Sequence, residues 1–146
     1  TMKKQLFIIS ALLLLYSCKT PFEREKEFFA YLKEVQRMEL SEKQLVLLMQ
    51  TNFCGACTEE VQAALASYIE AQNLKTTVVL SSNEKEVKAF FQELPSSPDV
   101  RIDPAYKMEQ YGMKFTSDLL VIFEEGRVLS WAFLDDKGLA RIGRKQ

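Results

Sequence analysis

Two short apolar runs, Leu45-Val46-Leu47-Leu48-Met49 and Leu119-Leu120-Val121-Ile122-Phe123, carry no polar alternation, and they restrict the fold more than any other feature of the chain. A strand with one face in water alternates, whereas a strand covered on both faces does not. Both runs are short, as such a strand requires. They therefore predict strands inside a sheet with helices packed on each side, an α/β arrangement.

The intervening sequence supplies those helices. Thr20-Pro21-Phe22-Glu23 combines a capping hydroxyl, a proline at the first helical position and a glutamate three residues after the cap. Phe28, Leu32 and Val35 then recur at helical spacing, which predicts a helix to about residue 38 and a loop over 39–43. Val61, Leu65, Tyr68 and Ile69 form the stripe of a second helix reaching about residue 72. A β-branched strand is predicted over 77–80, and Asn83 with Glu86 caps a helix whose Val87, Phe90, Phe91 and Leu94 share one face. Pro95 and Pro98 break the chain, and residues 100–102 can form a short extended piece. Asp103-Pro104 opens a helical segment that Gly112 closes. Glu125-Gly126 is the turn between the run at 119–123 and an antiparallel strand over 128–134. Helical and strand periodicity explains Phe28, Phe90, Trp131 and Phe133 as core residues, so no function is assigned to them.

Composition removes several function classes. With 47% hydrophobic and 27% charged residues, the chain suits one globular core. Lys plus Arg number 19 against 20 for Asp plus Glu, without a basic stripe, so nucleic acid is not an expected partner. Histidine is absent, which excludes Ser-His and Cys-His nucleophilic catalysis and imidazole ligation of zinc or haem.

From Met2 the chain reads Lys3, Lys4, a ten-residue apolar run over 6–15 and then Tyr16-Ser17-Cys18, which is the pattern of a secretory signal peptide. Leu15-Tyr16-Ser17-Cys18 resembles the lipobox of bacterial lipoproteins. That resemblance implies cleavage before Cys18 and lipidation of its sulfur, so that acyl chains hold the protein at a membrane while the domain stays in water. An ordinary signal peptide, or a buried thiol in an N-terminal helix, is the alternative. Lys19, where inner-membrane lipoproteins often carry Asp, points to the outer membrane and a periplasm-facing place in the cell envelope. The expected organisation is a signal peptide over 2–17, a lipidated tether over 18–21 and one domain over 22–146. Cleavage removes two lysines and leaves 17 basic against 20 acidic side chains, a mildly acidic domain.

The remaining cysteines are Cys54 and Cys57, separated by Gly55-Ala56 where the first strand gives way to a helix. At helical spacing their Cα atoms lie about 5–6 Å apart, within disulfide range. A cysteine at a helix N-terminus has its thiolate stabilised by unpaired N–H groups and the helix dipole, and the thiolate is the attacking species. A zinc site needs four ligands, and no histidine or further free cysteine exists to complete one. Two thiolates could hold Cu(I), so that reading stays open. A structural disulfide across three residues closes too small a loop to stabilise the fold much. Thiol-disulfide exchange is the chemistry this pair suits best, and it calls for no cofactor and no metal.

Phe53-Cys54-Gly55-Ala56-Cys57 resembles the active-site segment of thioredoxins. Beyond it the chain is similar to the membrane-tethered TlpA/ResA type of thiol-disulfide oxidoreductase. Val78-Val79-Leu80-Ser81-Ser82 runs into an additional helix, Ile102-Asp103-Pro104 leads to Tyr111-Gly112-Met113, and the run at 119–123 is followed by Glu124-Glu125-Gly126-Arg127. The resemblance implies a thioredoxin-like sandwich: a central mixed β-sheet flanked by helices, with an extra helix inserted after the second strand. It also implies Cys54 as nucleophile, Cys57 as resolving cysteine, and a protein disulfide or dithiol as substrate. Three positions depart from the family pattern. The cis-proline opposite the active site falls on Ser117, where a cis bond would cost about 2.5–4 kcal/mol, so a trans peptide is expected. The buried acid of many thioredoxins corresponds to Leu48, and the usual tryptophan before the first cysteine is Phe53. Glu59 and Glu60 are expected as ordinary first-turn residues that suit the helix dipole. Gly55-Ala56 lacks a histidine to stabilise the thiolate strongly, which predicts a reducing pair. The missing proline and acid sustain an alternative, a non-catalytic thioredoxin-fold lipoprotein that binds a protein or Cu(I).

Overall fold

The computed structural model describes residues 22–49, 59–81, 85–115 and 117–134. In chain order these form α1 (Glu25–Glu34), β1 (Gln44–Met49), α2 (Glu59–Gln72), β2 (Lys75–Leu80), α3 (Lys85–Gln92), β3 (Asp99–Ile102), a 3₁₀ turn (Pro104–Tyr106), α4 (Lys107–Gln110), β4 (Leu119–Glu124) and β5 (Arg127–Phe133). The strands make one sheet in the order β3-β2-β1-β4-β5. β1 pairs parallel with β2 and β2 with β3, whereas β4 runs antiparallel to β1 and β5 to β4.

All six residues of β1 are buried, as its lack of alternation requires of a central strand. Its side chains divide between two cores. Val46 and Leu48 join Val79, Leu119, Val121 and Phe123 under α1 and α4, where Phe28, Leu32 and Met108 close the layer. Leu45, Leu47 and Met49 join Val78, Leu80, Leu120 and Ile122 under α2 and α3, against Leu65, Ile69, Val87 and Phe91. The mixed sheet between two helical layers, with α3 inserted after β2, is the thioredoxin-like sandwich expected from the sequence.

Two glycines act where anticipated. Glu125 and Gly126 both take positive φ (49° and 67°), which makes the β4–β5 connection a tight two-residue hairpin whose twist matches its strands. Gly112, at φ 76°, ends α4: its N–H reaches Glu109 O at 2.9 Å and the Met113 N–H reaches Met108 O at 3.0 Å, a Schellman cap.

The first helix is shorter than its sequence signal. Thr20 and Pro21 lie outside the described residues, but Phe22–Arg24 are not helical and α1 starts at Glu25, with Arg24 in its cap position at φ −111°, ψ 27°. Phe22 explains the offset. Its ring packs at 5.6 Å on both Phe28 and Trp131, so the chain turns back onto the core before it can coil. The helix stops at Glu34 instead of residue 38, and Arg37 follows in the left-handed region at φ 54°. Of the four aromatics read as core, Phe28 is fully buried. Phe90, Trp131 and Phe133 are half-buried and packed against the cores, in the case of Trp131 and Phe133 because β5 is an edge strand.

Candidate functional site

In open sheets of this kind, ligands and reacting groups gather outside the carboxyl ends of the parallel strands, where the loops diverge. Here that edge is formed by Met49, Leu80 and Ile102, the last residues of β1, β2 and β3. The ladder runs one residue past two of them: Ser81 N–H donates to Met49 O at 2.9 Å, and Asp103 N–H donates to Leu80 O at 2.8 Å. Because β4 is antiparallel, its start lies at the same edge, with Leu119 opposite Leu48.

Cys54 and Cys57 belong to the stretch that joins this end of β1 to α2, and they lie outside the described residues, as does Cys18. The elements on either side of the pair are those the sequence predicts, a buried strand before and an amphipathic helix after. Ser117, which the sequence resemblance matches to the cis-proline of thioredoxins, is half-buried two residues before Leu119 and so flanks the same edge. Thr116 lies outside the described residues, and with it the peptide bond preceding Ser117. Leu48, which the sequence resemblance matches to the buried acid of many thioredoxins, is fully buried among apolar side chains and offers no proton acceptor.

A buried acid does stand elsewhere on this edge. Asp103, immediately after β3, is the one carboxylate buried among the described residues. Its Oδ1 accepts a hydrogen bond from the Tyr31 hydroxyl at 2.7 Å, and both its oxygens lie within 3.2 Å of the Met108 N–H. Gln36 Nε2 donates to the Tyr31 oxygen at 2.9 Å and reaches Ile102 O at 3.4 Å, and Arg101 Nη1 donates to Gln36 O. Burial above all, then the bond to Asp103, pushes the Tyr31 phenol well above its ordinary pKa. Tyr31 therefore stays neutral, and the network ties α1, β3 and α4 together. Sequence reading placed Asp103 at a helix start, and nothing local announces a partner 72 residues away.

Between the 3₁₀ turn and α4 the backbone is unusual. Ala105 (φ 51°, ψ 42°) and Tyr106 (φ 55°, ψ 38°) are consecutive left-handed residues, neither of them glycine or asparagine. The turn is held by Asp103 on one side and by Gln110 Nε2, which donates to Ala105 O at 3.2 Å, on the other. Tyr106 nevertheless remains 68% exposed.

Among the described residues no group of three or more His, Cys, Asp or Glu side chains could hold a metal ion, and no helix is long and apolar enough to cross a membrane. No protein-family model matches the chain, and no curated protein matches it. Among solved structures, the chain is similar to a Chlorobium tepidum protein assigned as the thiol:disulfide interchange protein DsbE. The two share 14% sequence identity at a TM-score of 0.45, over 72% of this chain and 77% of that chain.

Proposed function

We propose that the protein is a lipid-anchored thiol-disulfide oxidoreductase of the bacterial cell envelope, acting through Cys54 and Cys57. The observation that carries this reading is the position of the CxxC motif in the chain, directly after the central buried strand of a thioredoxin-like sheet and before α2. The Cys54 thiolate attacks one sulfur of a partner disulfide, forming a mixed disulfide and releasing the other partner sulfur as a thiolate. Cys57, deprotonated, then attacks the Cys54 sulfur. This frees the second partner thiol and leaves Cys54–Cys57 oxidised, so two electrons have passed to the substrate. Lys3, Lys4, the apolar run and Cys18 support export and lipidation, and Lys19 supports an outer-membrane anchor facing the periplasm.

The second reading, a binding lipoprotein for a protein or for Cu(I), draws support from buried apolar Leu48 and from Ser117 in the place of proline. Insulin reduction separates the two. With dithiothreitol present to re-reduce the pair, the purified chain is expected to turn over insulin disulfides faster than dithiothreitol alone, and Cys54→Ala to abolish that gain. Cys57→Ala should accumulate an unresolved mixed disulfide with its partner. A stable equimolar Cu(I) complex without any exchange activity would select the binding reading. The reduction potential is expected to lie well below about −120 mV, the value of a strong periplasmic oxidant.

A further inference from the structure

Left-handed residues serve ordinary turns, as at Arg37, Ser97 and Glu125, but two non-glycine ones in succession that present a large exposed ring point to a role outside the fold. Ala105 and Tyr106 show this pattern. Each left-handed L-residue costs about 1–2 kcal/mol, and the Tyr106 ring recovers little of that within the chain at 68% exposure. The turn is nonetheless fixed in place. Asp103 is clamped by Tyr31 and Met108, Met108 is buried in the core, and Gln110 holds the Ala105 carbonyl. The position of Tyr106 is thus dictated from below by the core. Ile102, the last residue of β3, is a second exposed large apolar side chain in this part of the chain, at 37%.

The turn stands at the carboxyl edge of the sheet, on the strand two positions from β1. Two strand spacings amount to about 10 Å. A protein partner that covers about 800 Å² of surface occupies a disc roughly 16 Å in radius. A polypeptide whose footprint is centred on a disulfide at the carboxyl end of β1 therefore extends over the β3 end as well. A pre-positioned tyrosine buries a large ring there for little loss of rotamer freedom, which is why tyrosine recurs among the residues that dominate interfaces.

We propose that Tyr106 is a specificity-determining contact for the disulfide-bearing polypeptide substrate, packing its ring on apolar side chains that flank the partner's cystine. The proposal rests on the exchange function argued above, and the test separates the two. The reduced full chain is mixed under single-turnover conditions with insulin, a protein disulfide, or with cystamine, a small disulfide that cannot reach the β3 end. Tyr106→Ala is expected to slow oxidation by insulin about tenfold, the loss set by one interface anchor of about 1.4 kcal/mol. It should leave oxidation by cystamine within twofold of wild type. Tyr106→Phe should keep the insulin rate, because the ring makes the contact, and thermal unfolding of Tyr106→Ala should show no loss of stability. An unchanged insulin rate in Tyr106→Ala overturns the proposal, and so does an equal loss with both disulfides. Self-association of the wild type that disappears in Tyr106→Ala also overturns it, by making a second copy the occupant. If the wild type exchanges with neither disulfide, the exchange function itself falls and the contact with it.

Discussion

At Ala105 the backbone adopts a conformation its side chain disfavours, and the alternatives differ by a calculable amount. The Cβ of an L-residue in the left-handed region costs about 1–2 kcal/mol, a cost glycine escapes, although glycine also gains about 0.4–1 kcal/mol of freedom in the unfolded chain. The first figure is the larger, so Ala105→Gly is expected to stabilise the protein by about 0.5–1 kcal/mol. Equilibrium urea unfolding would show this as a higher midpoint with an unchanged slope. A midpoint that stays or falls would mean that the turn is not strained at φ 51°. Sequence carried no hint of this feature. Turns with positive φ are recognised through Gly, Asn or Asp, as Glu125-Gly126 and Gly112 were, and Pro104-Ala105-Tyr106 has none of these.

A buried polar clasp joins three elements of this fold. α1 contributes Tyr31, the residues just after it contribute Gln36, and the β3–α4 junction contributes Asp103. Asp103→Ala removes the acceptor of the buried Tyr31 hydroxyl and the carboxylate contact of the Met108 N–H, and should cost about 2–3 kcal/mol. Tyr31→Phe leaves the carboxylate its Met108 contact and should cost about 1–2 kcal/mol. Because the two side chains share one bond, the double variant is expected to lose about 1 kcal/mol less than the two singles together. Fully additive losses would show that the contact is not energetically coupled. The clasp also marks where sequence reading stopped. Strands β1 and β4 were legible because unalternating runs have one physical meaning, and α2 and α3 because their apolar stripes repeat at helical spacing. The start of α1 was misplaced because Phe22 packs on Phe28 and Trp131, a long-range contact that outweighs a local capping signal. Tyr31 read as one more position on an amphipathic face, and only the fold sets it against Asp103. At the candidate site, strand, motif and helix were legible in order, whereas the exposure of Tyr106 depends on a backbone conformation no residue type announced.

For the molecule as a whole, the two helical layers each bury a tyrosine. Tyr31 lies under α1 on one face of the sheet, and Tyr68, on α2, is buried on the other. Desolvation raises the pKa of both phenols above the ordinary value of 10.0, and for Tyr31 the bond to Asp103 adds to the effect. The sign of the consequence follows from which state holds the proton. Below pH 10 both states hold it, and the contribution of these phenols to stability is fully present. Above about pH 10 the unfolded chain ionises its tyrosines, whereas the folded chain holds the Tyr31 proton and gives up that of Tyr68 less readily than the unfolded chain does. The unfolded state then binds fewer protons, so the free energy of unfolding falls as pH rises, by up to about 1.4 kcal/mol per pH unit for each such phenol. Tyr111, bonded to Glu34 at 2.5 Å, is shifted the same way, but it faces solvent and its effect is screened. Urea unfolding between pH 8 and 11 should therefore show a plateau and then a decline that begins near pH 10. Tyr31→Phe should make the decline shallower by up to one proton, and Tyr68→Phe should make it shallower in the same direction, whatever their effect on the plateau. A slope above pH 10 that neither substitution changes would mean that both phenols ionise as easily in the folded protein as in the unfolded one, which is incompatible with two closed cores on either side of the sheet.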